Sequence, residues 1–177
     1  TIHRNGLDIV PSSIDLSGAD IELSGVAGRE FLLKEALTSS AAYDYVLIDC
    51  PPNLGLLTLN ALTASSEVFI PVQTEFLALQ GMSKLLQTAD VVKKRLNEHL
   101  DVTGVIATRY DNRKNLNREV VDRIREYFGS KVFSTLIRDN VAFAEAPSFG
   151  QTIFEYAPKR YGAEDYARLC QEIVERG

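Results

Sequence analysis

Two periods organise the apolar positions of this chain. Short apolar runs suited to strands recur at residues 7–10, 43–48, 68–72, 102–108 and 132–137, and stretches with apolar positions three and four apart separate them. The first run stops at Pro11. Ser12, Ser13, Ile14 and Asp15 then offer a capped helix start with an acid in its first turn, and the helix is expected to run through Glu22 before Gly25 and Gly28 break the chain. Phe31, Leu32, Lys34, Glu35, Ala36 and Leu37 read as helix, and residues 43–48 form the continuous apolar run of a strand covered on both faces. Residues 56–64 follow as helix. Met82, Leu85, Leu86, Ala89, Val92 and Leu96 keep the 3.6 period over a long helix, with Lys93, Lys94 and Arg95 suitably placed near its end. Leu116, Val120, Val121, Ile124, Tyr127 and Phe128 make another helix, stopped by Gly129, and residues 163–174 close the chain. Five strands joined by helical crossovers imply an α/β fold, a mostly parallel sheet with helices on both faces, in a single domain over residues 1–177.

Composition narrows the class without changing this outline. A chain of 177 residues with 45% hydrophobic content is large enough to bury a core without a staple. Cys50 and Cys170 are far apart and neither belongs to a C-x-x-C, which argues against a disulfide framework or metal cluster and for a reducing, cytoplasmic setting. No apolar run reaches the roughly 18 residues of a membrane span, so no membrane role is expected. A net charge of -5 disfavours a uniformly basic nucleic-acid binder and leaves room for a local basic stripe on an acidic body. His3 and His99 stand alone in the sequence and read as surface residues.

The most informative stretch is Tyr45-Val46-Leu47-Ile48-Asp49-Cys50-Pro51-Pro52-Asn53-Leu54-Gly55, an apolar strand that ends on one carboxylate before a Pro-Pro-x-x-Gly loop. Two consecutive prolines remove two backbone donors and stiffen the turn, so the Asp49 carboxylate is presented by a rigid loop. A carboxylate at the C-terminal end of a buried strand is well placed to bind the hydration shell of a metal. Arg113, Lys114 and Arg118, with Arg125 seven residues further along the same helix face, form a cationic stripe suited to non-specific phosphate contacts. Asp111, Asp122 and Glu126 dilute it.

The run 44–52 and the following Leu54-Gly55-Leu56-Leu57-Thr58-Leu59-Asn60-Ala61-Leu62 closely resemble the Walker B and switch II region of ParA/Soj-type partition ATPases, deviant Walker members of the P-loop NTPases. The similarity continues through Ile70-Pro71-Val72-Gln73, Leu79-Gln80-Gly81, Gly104-Val105-Ile106, Asn140-Val141, Glu145-Ala146-Pro147-Ser148 and Gly162-Ala163-Glu164. It covers essentially the whole chain. The resemblance implies chromosome or plasmid partitioning by an ATPase that dimerises with ATP, binds DNA non-specifically and answers to a ParB-like centromere-binding partner in the bacterial cytoplasm, on the nucleoid. It also assigns residues. Asp49 becomes the Walker B acid holding Mg through water, Asn53, Leu54 and Gly55 match switch II, and Asp49, Pro51, Pro52 and Gly55 count among the nucleotide-binding residues. Thr108, Arg109 and Tyr110, with Ile137 and Arg138, take the positions that enclose the adenine of ATP, and Arg113 matches an arginine used on DNA.

Departures from the family pattern carry equal weight. No G-x-x-x-x-G-K-[ST] phosphate loop and no following D-x-D-P segment occurs in residues 1–177, so the chain reads as the C-terminal portion of such an ATPase, truncated at its N-terminus. Those missing pieces supply the phosphate cradle, the hydroxyl ligand of Mg and an acid that orients water. The chain alone is therefore expected to hydrolyse no ATP, and Tyr45 to Ile48 either to be left with unpaired backbone groups or to take a new neighbour, the fragment folding with altered pairing or depending on another chain. Many relatives have Pro where this chain has Arg138, leaving open an arginine stacked on the base or no contact. Ala142, Phe149 and Gln151 stand where many chromosomal relatives carry basic residues. A non-catalytic interaction module is the alternative from another class. MinD-like and cellulose- or flagellum-positioning relatives share the fold, although residues 171–177 lack a basic amphipathic membrane helix.

Overall fold

The computed structural model describes residues 1–176 except 5, 39–42, 52, 76 and 77, and describes the side chains of these residues except 17 and 78–82. Two compact units emerge, one of residues 1–66 and 88–100, the other of residues 67–87 and 101–177.

The first unit opens with strands β1 (Ile2–Arg4) and β2 (Leu7–Ile9), paired antiparallel with His3 opposite Asp8. Gly6 sits between them at φ 80°, a left-handed conformation that glycine adopts without a Cβ penalty. His3 is not isolated: its ring meets the Asp8 carboxylate, which also accepts the Tyr43 hydroxyl. These two partners, Tyr43 foremost, hold the Asp8 carboxyl below its usual range. A 3-10 turn (Ile14–Gly18) leads into α1 (Ala19–Glu22), a second (Arg29–Phe31) into α2 (Leu32–Thr38), and α3 (Leu56–Ala64) follows. Helix α3 is held by side-chain amides at its middle and at its C-terminal end. Buried Asn60 donates to the carbonyl of Arg29 (2.8 Å) and accepts the Leu33 N–H (3.0 Å), tying α3 to the preceding turn. Asn97 donates to the carbonyls of Leu62 (3.0 Å) and Ser65 (2.6 Å), satisfying groups that the helix end leaves open.

In the second unit β3 (Glu67–Gln73) and β4 (Asp101–Thr108) pair in parallel, Ile70 opposite Val105 and Gln73 opposite Thr108. Residues 132–138 run beside β4, joined by parallel bridges at Val105–Val132 and Tyr110–Arg138. Helix α4 (Ala78–Arg95) is divided between the units, and α5 (Asn115–Phe128), α6 (Ala142–Ser148), α7 (Ile153–Tyr156) and α8 (Tyr161–Arg176) complete the chain. One face of the sheet packs Ile70, Val72 and Val105 against Val120 and Ile124 of α5, with Leu85 and Leu86 of α4. The other packs Phe69, Phe133 and Ile137 against Phe143, Leu169 and Ile173. Helices therefore cover both faces, the α/β arrangement that the apolar pattern predicts. Gly104 lies beneath the edge-to-face pair Phe69–Phe133, where a Cβ would come within 2.5 Å of both rings.

Three of the five expected strands differ. Residues 7–10 enter an antiparallel hairpin, because the sequence before Gly6 supplies a local partner. Residues 43–48 pair with no strand among the described residues, and Tyr45, Val46 and Leu47 are exposed. Residues 132–137 are a strand only in part. Phe133 and Ile137 donate to the carbonyls of Val105 and Ala107 (both 2.9 Å), but the amides of Ser134 and Thr135 turn to the Glu172 carboxylate (2.7 and 3.0 Å).

Candidate nucleotide and phosphate sites

Asp49 is exposed at the end of its extended run in the first unit, and Pro51 and Asn53 follow it as part of an exposed loop; Pro52 lies outside the described residues. The Thr58 hydroxyl donates to the Asn53 carbonyl (2.6 Å), fixing the turn into α3. Gly55 is the N-cap of α3 and offers no side chain to it. The cap comes from elsewhere: Asp20 accepts the Leu56 N–H at 2.9 Å, and its other carboxylate oxygen lies 2.7 Å from where a Gly55 Cβ would stand. A carboxylate here satisfies an open N–H and complements the helix dipole. The group that uses the space at Gly55 in this structure is thus Asp20, a residue the sequence pattern did not single out. One carboxylate suits an outer-sphere contact to a hydrated Mg ion, which keeps several of its waters.

The other expected residues meet in the second unit. Thr108, Arg109, Ile137 and Arg138 line one cavity of about 360 Å³ at the C-terminal ends of β4 and of the 132–138 segment, the end at which parallel sheets bind ligands. Phe143, Ala146, Pro147 and Ile153 give it an apolar wall, and Gln151 and Thr152 add polar atoms. That size and lining fit a planar base with part of its sugar. Tyr110 does not line the cavity; its backbone pairs with Ile137 and Asp139 and holds the two walls in register.

Arg109 adopts φ 53°, an uncommon left-handed conformation for a residue with a Cβ. Its carbonyl accepts the hydroxyl of fully buried Thr74 (3.1 Å), and its guanidinium lies 3.7 Å from Asp139 and 4.0 Å from Glu75. Arg138 is fixed more tightly. Nε and Nη2 grip the buried Asp165 carboxylate at 2.6–3.2 Å, and the guanidinium lies 4.7 Å from the centre of the Tyr161 ring. Hydrogen bonding to Asp165 raises its already high pKa further. Its guanidinium therefore lies over the Tyr161 ring as well as against Asp165. Asp165 carries no motif, and only its interruption of the apolar face of α8 hints at a buried partner.

The cationic stripe is less uniform than its sequence. Arg113 is exposed yet donates through Nε and Nη2 to Asp111 (2.9 Å each), which also accepts the Arg113 N–H (3.0 Å). These bonds hold the Asp111 carboxyl at about 2. Arg118 donates to Asn115, and Arg125 is exposed. The exposed face of α5 also carries Arg123, with Glu119, Asp122 and Glu126 balancing its three arginines. No helix among the described residues is long and apolar enough to cross a membrane.

A family model described as an AAA domain matches residues 1–102. The sporulation initiation inhibitor protein Soj of Bacillus subtilis is 49% identical over 172 residues, 97% of this chain and 68% of its own length. The chromosome partitioning protein ParA of Caulobacter vibrioides is 44% identical over 174 residues, 97% of this chain and 65% of its length. The chain belongs to the ParA/Soj family of partition ATPases. It spans about two thirds of these ParA/Soj relatives. Among solved structures, a cobyrinic acid a,c-diamide synthase from Mycobacterium smegmatis with bound ADP and magnesium is 34% identical, with a TM-score of 0.77 over 93% of this chain and 60% of its own. A putative plasmid partition protein from Borrelia burgdorferi bound to AMPPNP has a similar fold at 20% identity, with a TM-score of 0.76 over 98% of this chain and 65% of its own.

Proposed function

We propose that this chain is the nucleotide-base-binding and DNA-binding portion of a partition ATPase. The cavity formed jointly by Thr108, Arg109, Ile137 and Arg138 is the observation that carries this reading, since four residues from two distant segments converge on one site of suitable size and lining. In it the base of ATP lies against Ile137 and the apolar wall, and the nucleotide would supply the phosphoryl group; taken by itself, Asp49 in the other unit is the carboxylate suited to hold a hydrated Mg ion. Pro51, Pro52 and Gly55 carry the response of the loop. The 177 residues contain no phosphate loop, and we expect them alone to turn over no ATP. A dimer, a ParB-like partner and nucleoid association complete the role.

Lys114, Arg118 and Arg125 provide phosphate contacts to duplex DNA without reading bases. Titration of ATP into isotopically labelled protein tests the base site: the amides of Thr108, Arg109, Ile137 and Arg138 should shift first, and silence there at saturating nucleotide refutes it. Fluorescence anisotropy with a labelled duplex tests the second. Three phosphate contacts give a slope of log affinity against log salt of about -2.7. A salt-independent signal refutes this part.

A further inference from the structure

Arg109 stands in the cavity wall with a backbone conformation that its own side chain disfavours. It is the one non-glycine residue with positive φ among the described residues, at 53°. A residue with a Cβ persists in the left-handed region where its surroundings impose it. Those surroundings are Thr74 and Asn117. Thr74 directly follows β3 and is fully buried. Its N–H donates to the Thr108 carbonyl (3.0 Å), its hydroxyl donates to the Arg109 carbonyl (3.1 Å), and its own carbonyl accepts from Asn117 Nδ2 (2.5 Å). Asn117, also buried, completes the brace by accepting the Asp111 N–H at Oδ1 (2.9 Å). On the far side of Arg109, the Tyr110 N–H donates to the Ile137 carbonyl (3.0 Å). The backbone is gripped before, at and after Arg109, and the grip at Arg109 itself comes from one hydroxyl.

On the reading of this cavity as the base site, we propose that Thr74, braced by Asn117, is a positioning residue: its hydroxyl holds Arg109 left-handed and so fixes the wall that the base meets. Neither Thr74 nor Asn117 lines the cavity, whereas Thr108, Arg109 and Asp139 do. The left-handed turn sends the Arg109 side chain toward Asp139, 3.7 Å away, and Glu75, 4.0 Å away. At negative φ the Cβ leaves the backbone in another direction, and the guanidinium loses both carboxylates. A wall that is formed in only a fraction of the molecules weakens binding by that fraction, so the Thr74 hydroxyl sets affinity without touching the ligand.

The test is calorimetric titration of ATP into the unaltered chain, Thr74→Val, Thr74→Ser, Arg109→Gly and the double variant of Thr74→Val with Arg109→Gly. Backbone chemical shifts of Arg109 report its conformation, and thermal midpoints monitor folding. Valine keeps the shape of Thr74 and removes its donor. ATP affinity should fall about three- to tenfold, the worth of one buried hydrogen bond, as the Arg109 shifts move toward negative φ. Serine keeps the hydroxyl and should restore the affinity, although its missing methyl group still lowers the thermal midpoint. Glycine adopts positive φ without help, so in the Arg109→Gly background Thr74→Val should leave ATP affinity unchanged while still lowering the midpoint. Unchanged affinity in Thr74→Val, a loss that serine does not restore, or an equal loss in the glycine background overturns the positioning role and leaves the base site intact. Absence of ATP binding by the unaltered chain overturns both.

Discussion

Replacing Glu172 with Gln should remove a pH-dependent clamp on the segment that leads into the cavity lined by Ile137 and Arg138. Glu172, on α8, accepts the amides of Ser134 and Thr135, and Arg176 one turn later pairs with it at 2.7 Å. Arg176 also donates to the carbonyls of Ser130 and Val132 and lies 4.2 Å from the centre of the Phe133 ring. Burial pushes the Glu172 carboxyl up, but the two amides and Arg176 outweigh it and hold the group at about 2 against an ordinary 4.5. At about 1.4 kcal/mol per tenfold change, that difference corresponds to about 3 kcal/mol in favour of the ionised folded state. The side chain is 17% exposed, so solvent screens it only modestly. Because the folded-state value is depressed, the contribution is complete above about pH 4.5 and is lost as pH falls toward 2. Urea unfolding of both proteins at several pH values between 7 and 3 measures it. The unaltered chain should be more stable by about 2–3 kcal/mol at neutral pH, with the gap closing in acid. A gap that stays constant with pH, or no gap at pH 7, refutes the clamp.

Gly104→Ala forces a methyl group to within 2.5 Å of Phe69 and Phe133, and should destabilise the second unit by about 1–3 kcal/mol, read as a lower thermal midpoint. Asn60→Ala leaves the Leu33 N–H without its partner and should cost about 1–3 kcal/mol, with faster amide exchange confined to residues 29–33 and α3 as its signature. Arg138→Ala strands the buried Asp165 carboxylate and should cost about 2–5 kcal/mol, and Arg138→Lys should recover little because an ammonium cannot replace the fork; urea midpoints for the two variants check both statements.

Residues whose role is set by local periodicity were legible before any coordinates. Helices α3, α4, α5 and α8 and strands β3 and β4 fall within a few residues of the positions their apolar spacing predicts, because each buries a face or stripe of its own sequence. Residues 43–48 show the limit of that logic. Their composition suits a strand, yet a strand exists only where another backbone answers its N–H and C=O groups, and none among the described residues does so. The 132–137 run fails in a different way, since Glu172 competes for two of its amides from 37 and 38 residues away. In the site, Thr108, Arg109, Ile137 and Arg138 were placed by family resemblance, and the fold brings them to the lining of one cavity. Asp20, Thr74, Asn117 and Asp165 were given no role because each acts through hydrogen bonds to residues distant in sequence, which leave no period. Asp111 was visible as a diluting charge, and its spacing of two from Arg113 could have disclosed the ion pair.

Arg109 couples two demands that most positions keep apart. Its backbone conformation favours glycine, asparagine or aspartate, and a residue with a Cβ there costs about 1–3 kcal/mol unless its surroundings impose it. Its side chain, reaching toward Asp139 and Glu75, asks for a long cation. Mutational tolerance at this codon is consequently split: selection for folding alone drifts toward glycine and excludes valine and isoleucine, whereas selection for the charged rim of the cavity retains arginine. Where the pairing with Asp139 and Glu75 is not needed, this position should be the first to revert to glycine.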